Sequence, residues 1–303
     1  MNKTASILLA TAAAGVGGVA YGAGYERNAF VVRKVEVPVL PVGTTSLKVL
    51  HLSDTHMLPA QTKKQRWLRE LIDLDPDFVV NTGDNLSHLD AVPSVLSAYG
   101  DLLDLPGVFV FGSNDYFSPA FKNPVRYLTR DSHGPRRWAA DLPFEELRTA
   151  FTGRGWIDLT NRRGALTVGG VSMSLVGVDD PHLGYDDLSA VRGPADTSSD
   201  LAIGVTHAPY LRVLDAWNAD GYPLIFAGHT HGGQLCLPGV GALVTNCDLD
   251  RARAKGLHQH RTPGHDPSWL HVSAGVGTSP HAPLRFACRP EATLLTLTAK
   301  TLR

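Results

Sequence analysis

The stretch Leu47-Lys48-Val49-Leu50-His51-Leu52-Ser53-Asp54-Thr55-His56 sets the reading of the whole chain. Leu47 to Leu52 is a short apolar run closed by Ser53-Asp54, the shape of a buried strand meeting a loop. Asp54 and His56 leave that strand end two residues apart, and residues i and i+2 share a face. A carboxylate and an imidazole so placed can meet one cation. The same pattern recurs downstream. Phe78-Val79-Val80 runs into Gly83-Asp84-Asn85, and Val108 to Phe111 runs into Gly112-Ser113-Asn114-Asp115. Leu201 to Val205 precedes His207, and Leu224 to Ala227 precedes Gly228-His229-Thr230-His231. One such piece says little, because Asp-x-His pairs are common caps. Five in succession, each at a strand end, point to a metal centre, and open α/β sheets gather their ligands at that place.

Between these strands lie helical patterns. Residues 61–74 carry Trp67, Leu68, Leu71, Ile72 and Leu74 on one stripe. Pro93 to Leu103 reads as a second helix with proline in its first turn. The alternation predicts an α/β layered domain. The second half is richer in strands: Val171 to Val176, Leu201 to Val205, Leu224 to Ala227, Leu270 to Val272 and Ala292 to Leu297 all read as buried and extended. A second sheet packed against the first is expected.

Composition removes several function classes. With 43% hydrophobic and 19% charged residues in 303, the chain is not disordered. Lys+Arg total 28 and Asp+Glu 29, a net charge of −1, which argues against a nucleic-acid partner held by bulk charge. Cys236, Cys247 and Cys288 form no Cys-x-x-Cys pair, so neither a disulfide framework nor a thiolate zinc site is expected. Neither a Gly-x-Ser-x-Gly elbow nor a Walker phosphate loop occurs.

Residues 1–25 form an uncharged stretch from Thr4 to Tyr25 behind Lys3. It reads first as a transmembrane anchor, then as a signal peptide cut near Ala20-Tyr21-Gly22, then as a packed tail. Lys3 on one side and Arg27, Arg33 and Lys34 on the other slightly favour a membrane-associated domain on the cytoplasmic face. Residues 26–45 read as a linker and an edge strand, ahead of a domain over 46–300. An insertion over 116–141 carries Lys122, Arg126, Arg130, Arg136 and Arg137 among Phe117, Phe121, Tyr127 and Trp138. It reads as a solvated excursion or as a cap that meets an anionic or lipid headgroup.

Two carboxylates, one amide and four histidines exceed the needs of one tetrahedral zinc. They suit two adjacent divalent transition metal ions with nitrogen and oxygen ligands, drawn from Mn, Fe, Zn or Co. Such pairs commonly serve in-line displacement at phosphorus.

The ordered set Asp54-x-His56, Gly83-Asp84-Asn85, Gly112 to Asp115, His207 and Gly228-His229-x-His231 resembles the calcineurin-like metallophosphoesterase superfamily. The later Gly232-Gly233-Gln234, Pro238, Gly275 to Ser279, Arg285-Phe286 and Pro290-Glu291 resemble its membrane-associated bacterial subgroup. The resemblance covers roughly residues 46 to 298. It implies a four-layer αββα sandwich of two mixed β-sheets flanked by helices. It implies Asp54, His56 and His231 on one metal, Asp84 bridging, and His207, His229 and an asparagine on the other, with Asn85 outside the ligand set. It further implies hydrolysis of a phosphate ester by metal-bound hydroxide, with Asp84, Asn114 and His207 as the catalytic residues.

One departure stands out. The family reads Gly-Asn-His-Asp or Gly-Asn-His-Glu where this chain reads Gly112-Ser113-Asn114-Asp115. A gapless match puts Ser113 at the ligand position; a one-residue shift keeps Asn114, whose carboxamide oxygen is the better neutral ligand. In either register the family's acid histidine is missing. His88 and His182 are candidate substitutes, though both read first as exposed loop histidines. The membrane segment and the basic insertion favour a phospholipid or lipid-linked phosphate. The alternatives are a catalytically weak metal-binding scaffold and a nuclease or phosphodiesterase.

Overall fold

The computed structural model describes residues 3–119 and 141–301, without the side chains of 3–10, 12 and 14 in its first helix. In chain order the elements are α1 (Lys3–Gly24), β1 (Val31–Leu40), β2 (Leu47–Leu52), α2 (Thr62–Arg69), β3 (Phe78–Asn81), α3 (Val92–Tyr99), β4 (Gly107–Phe109) and the single turn α4 (Ser113–Tyr116). They continue with α5 (Phe144–Gly153), β5 (Ile157–Asp158), β6 (Arg162–Val168), β7 (Val171–Gly177), β8 (Leu201–Val205), α6 (Leu211–Ala219) and β9 (Leu224–Ala227). The chain closes with β10 (Cys236–Leu237), β11 (Gly241–Ala242), β12 (Gly256–His260), β13 (Ser268–Val272) and β14 (Glu291–Ala299).

Two mixed six-stranded sheets carry the fold, ordered β1-β14-β2-β3-β4-β5 and β12-β13-β9-β8-β7-β6. In the first, β2, β3, β4 and β5 run parallel and β14 is antiparallel to β2. In the second, β7, β8, β9 and β13 run parallel, with β6 and β12 antiparallel at the edges. Val49, Phe78, Val80 and Val108 of one sheet meet Met173, Leu175, Ile203 and Phe226 of the other in one buried cluster. α2, α3 and α5 cover the outer face of the first sheet through Leu68, Val95, Leu147 and Phe151. α6 covers the second through Val213, Leu214 and Trp217. The expected four layers are therefore present. Parallel strands carry helices on their faces, which is why the inner strands read as continuous apolar runs.

Both predicted helices are shorter than their stripes. The one over 61–74 is α-helical only to Arg69 and then tightens into a 3-10 turn that ends at Asp75 with φ 53°. The other ends at Gly100, φ 47°, and continues as 3-10 to Asp104. The strand expected over 108–111 pairs only through Phe109, although Val110 N still donates to Asn81 O at 3.1 Å.

α1 is helical throughout, but among the described residues no helix is long and apolar enough to cross a membrane. Its exit is fixed to the domain. Buried Glu26 accepts from Ala287 N at 3.0 Å and Cys288 N at 2.7 Å, and Tyr21 stands edge-on to Phe286. The basic, aromatic segment expected over 116–141 lies, from 120 to 140, outside the described residues.

Candidate metal centre

Every candidate ligand comes from the segment that follows the carboxyl end of a parallel strand: Asp54 and His56 after β2, Asp84 after β3, Asn114 in α4 after β4, His207 after β8, His229 and His231 after β9. Backbone conformation converges them. Asp54 (φ 50°), His56 (43°), Asp84 (55°), His229 (69°) and His231 (49°) all adopt left-handed φ. That region costs a non-glycine residue about 1–3 kcal/mol and persists only where the surroundings over-determine it. Glycine clears the remaining space. A Cβ on Gly112 would strike Asp84 Oδ1 and come within 2.5 Å of the His207 ring; one on Gly228 would collide with Ser53 Oγ.

Two groups of donors share Asp84. In the first, single donor atoms of Asp54, His56, Asp84 and His231 all lie within 4.8 Å of one another. His56 Nε2 is 3.1 Å from His231 Nε2 and 3.4 Å from Asp84 Oδ2; His231 Nε2 is 3.5 Å from Asp54 Oδ1. Ligand atoms about 2.0–2.2 Å from one cation sit about 3.0–3.5 Å apart, so these spacings fit a metal. In the second, His207 Nε2 is 3.5 Å from Asp84 Oδ1 and 3.3 Å from His229 Nδ1. Asn114 reaches Asp84 twice, through its backbone N to Oδ1 at 2.7 Å and its carboxamide to Oδ2 at 2.8 Å. The side chain facing Asp84 is thus that of Asn114.

The outer hydrogen bonds fix which nitrogen faces inward, as they do for metal-binding histidines generally. His207 Nδ1 donates to Thr82 O at 2.7 Å, leaving Nε2 free to bind. His231 Nδ1 faces Gly277 O at 3.2 Å, again leaving Nε2. His229 is reversed: Nε2 faces Asn246 O at 3.2 Å and Nδ1 points inward. Asn85 turns away, and its Oδ1 accepts from Tyr99 Oη and Asn81 Nδ2, both at 2.8 Å. Asp115 ties two loops together by accepting from the backbone N of Asp84, Asn85 and Gly112.

Burial and mutual charge shift the titration of these groups in different directions. Burial pushes the Asp54 carboxyl up to about 6, against the pull of His207. Burial would raise Asp84 as well, but His207, His56 and the Asn114 hydrogen bonds hold it well below the usual carboxylate range. Burial lowers His56 to about 4 and drives His231 well below its ordinary value, helped there by His56 and Arg285. His207 goes the other way: against burial, Asp84, Asp180 and Asp54 raise it to about 9, so cation binding there would release its proton, whereas His56 and His231 already offer neutral imidazoles.

Three neighbours of the site stand differently from what the sequence pattern suggests. His182 is not an exposed loop residue: its ring lies 4.5 Å, centre to centre, from that of His229, and its Nδ1 is 3.0 Å from Tyr210 Oη. His88 does lie on the surface, beside Asp90. Lys64 is buried under the first loop and donates to Thr55 O at 2.7 Å. Burial, with Arg285 and Arg27, lowers it to about 7. Arg285 is fully buried behind His231, its Nη2 donating to Ala274 O (2.7 Å), Gly275 O (3.0 Å) and Gly277 O (2.7 Å). No periodicity marks a buried cation, so neither Lys64 nor Arg285 carried a signal of its role.

A family profile described as calcineurin-like phosphoesterase matches residues 47–233, more than half of the chain and all seven candidate ligands. The chain belongs to the calcineurin-like phosphoesterase family. It is a metal-dependent phosphoric ester hydrolase. It is 26% identical over 252 residues to the uncharacterized metallophosphoesterase YkoQ of Bacillus subtilis (strain 168), covering 82% of each chain. It is 28% identical over 287 residues to a Bos taurus transmembrane protein with metallophosphoesterase domain, covering 88% of this chain and 57% of that one. Among solved structures it is similar to TT1561 of Thermus thermophilus, with a TM-score of 0.44 and 10% identity over 77% of this chain and 91% of that one. Arg285 lies beyond the matched span, on the segment to which α1 is fixed.

Proposed function

We propose that this phosphoesterase works at a dinuclear centre, with Asp54, His56 and His231 on one cation, Asn114, His207 and His229 on the other, and Asp84 shared. The observation that carries this reading is the placing of the Asp84 oxygens: Oδ2 faces His56 while Oδ1 faces His207. When bound, divalent transition metals such as Mn, Fe, Zn or Co supply an acidified water and neutralise charge on the phosphoryl group. The chain supplies the rest. Carbonyls of Thr82, Gly277 and Asn246 hold the imidazoles in one tautomer, and Asp115 keeps the Asp84 and Gly112 loops in register. Asn114 stands where it can steady Asp84 and a phosphoryl oxygen together. His182, beside His229, is our candidate for protonating the leaving oxygen in place of the missing family histidine.

The substrate class we propose is a phospholipid or lipid-linked phosphate, turned over by a membrane-associated enzyme on the cytoplasmic face. Two features support it: the basic and aromatic composition of 116–141, and the exposed Val16, Val19 and Tyr21 of α1. The test uses metal-loaded full-length protein with p-nitrophenyl phosphate, bis-p-nitrophenyl phosphate and a lipid phosphate monoester in anionic vesicles. We expect turnover of at least one nitrophenyl ester and a higher kcat/KM on the vesicle substrate, lost when 120–140 is deleted. Equal turnover of the lipid substrate after that deletion overturns the lipid assignment.

A further inference from the structure

Behind the metal centre lies a cysteine pair that phosphoester hydrolysis does not use. Cys236 and Cys288 are 52 positions apart in sequence, yet both sulfurs meet one oxygen: Cys236 Sγ is 3.2 Å, and Cys288 Sγ 3.5 Å, from Gly232 O. The two side chains also share one small buried cluster with Ala242, Ala254 and Ala274. Cys288 Sγ further lies 3.3 Å from His231 O, so the pair is seated on the turn that carries a proposed metal ligand. That turn has little slack. Gly232 has φ 61°, and a Cβ there would come 2.8 Å from Cys288 Sγ and from Ala274 Cβ. Two cations flank the sulfur, Lys255 Nζ at 3.6 Å and an Arg285 nitrogen at 3.9 Å. Cys247, the third cysteine, belongs to another cluster, beside Leu249.

We propose that Cys236 and Cys288 form a reversible dithiol–disulfide couple, closed by hydrogen peroxide, that sets the position of the His231 turn. Cys236 is the entry point. It is 5% exposed on the two-residue ladder of β10 and β11, between Leu235 (39% exposed) and Leu237 (48%). So short a ladder opens locally at little cost. One cysteine sulfur attacks the peroxide, the O–O bond breaks, and a sulfenic acid and water form. The other sulfur displaces the hydroxyl as a second water, making the S–S bond. Two thiols give up two protons and two electrons, and one peroxide accepts them. Closing the bond brings the sulfurs to about 2.05 Å and draws Cys288 off the His231 and Gly232 carbonyls. The effect on the metal centre rests on His231 being a ligand, as proposed above; formation of the bond does not.

The test takes full-length metal-loaded protein through hydrogen peroxide and then dithiothreitol. Free thiols are counted after denaturing alkylation, and proteolytic peptides are read by mass. We expect the count to fall from three to one, a peptide joining Cys236 to Cys288, and bound metal reduced at least threefold, with dithiothreitol reversing all three. Cys236→Ser and Cys288→Ser should each abolish the cross-link. Three alkylatable thiols after peroxide, or a cross-link through Cys247, overturns the couple. A Cys236–Cys288 cross-link with unchanged metal content overturns its link to His231 and leaves the hydrolytic reading intact.

Discussion

Replacing Arg285 by methionine tests how the second half of the chain supports the metal centre. Arg285 is fully buried and donates to the carbonyls of Ala274, Gly275 and Gly277 within 3.0 Å, and to Cys288 O at 3.3 Å. Methionine fills much of the volume but returns no hydrogen bond. Each buried carbonyl left without a donor costs about 1–3 kcal/mol. Ala274 O would be left so, while Gly275 O and Gly277 O, which keep Glu291 N and His231 Nδ1, would each lose a charge-assisted bond worth about 1.5–3 kcal/mol; relief from burying a charge removes part of the sum. We expect a net loss of about 3–5 kcal/mol, or a fall in Tm of about 6–15 °C. Gly277 O also holds His231 Nδ1, so metal retention should fall with stability. Thermal unfolding with and without chelator, beside metal content by mass spectrometry, reads both effects. Arg285→Lys should lie between, since one ammonium reaches fewer carbonyls. A Tm within about 2 °C of the parent, with metal content unchanged, would refute the reasoning.

Three further outcomes follow from the same geometry. His182→Ala should slow alkyl phosphate hydrolysis about 10²–10⁴-fold, the usual worth of a general acid. Nitrophenyl esters, whose leaving group needs no proton, should change only a few-fold; equal losses on both remove His182 from that role. Gly112→Ala should abolish activity while the fold survives, because the new Cβ enters the space of Asp84 Oδ1 and His207; retained turnover in a stopped assay contradicts this. His51 and His271, which join the two sheets Nδ1 to Nδ1 at 2.8 Å, are both lowered by burial, His271 to about 3. Their folded values lie below the unfolded value near 6.5, so the stability they give is present above 6.5 and lost as pH falls from 6.5 towards 3. Urea unfolding of chelator-treated protein should show that fall, a few kcal/mol at most, and His51→Leu with His271→Met should flatten it.

The sheets were legible because burial on both faces leaves continuous apolar runs: Leu47 to Leu52, Leu201 to Val205 and Leu224 to Ala227 are strands over those same residues. β6 and β12 were missed because edge strands are half exposed. Arg162–Val168 alternates exposed and part-buried positions, and Gly256–His260 is mostly part-buried. The helix ends were misjudged because an apolar stripe does not distinguish an α turn from a 3-10 turn. For the site, spacing placed the ligand loops but could not show left-handed φ at five of the seven candidates. Nor could it show that His229 presents Nδ1 while its neighbours present Nε2, since that follows from Asn246, a residue in a loop with no pattern. His182 was underrated for a like reason: only the tertiary fold carries it to His229.

The central claim is that Asp84 is shared between two cations. The direct measurement is metal stoichiometry of purified full-length protein and of Asp84→Ala, each assayed on p-nitrophenyl phosphate and bis-p-nitrophenyl phosphate. The account predicts about two metals per chain with turnover in the parent, and loss of both metal and turnover in the variant. Two metals and full turnover in Asp84→Ala, or no metal in the parent after supplementation, would contradict it.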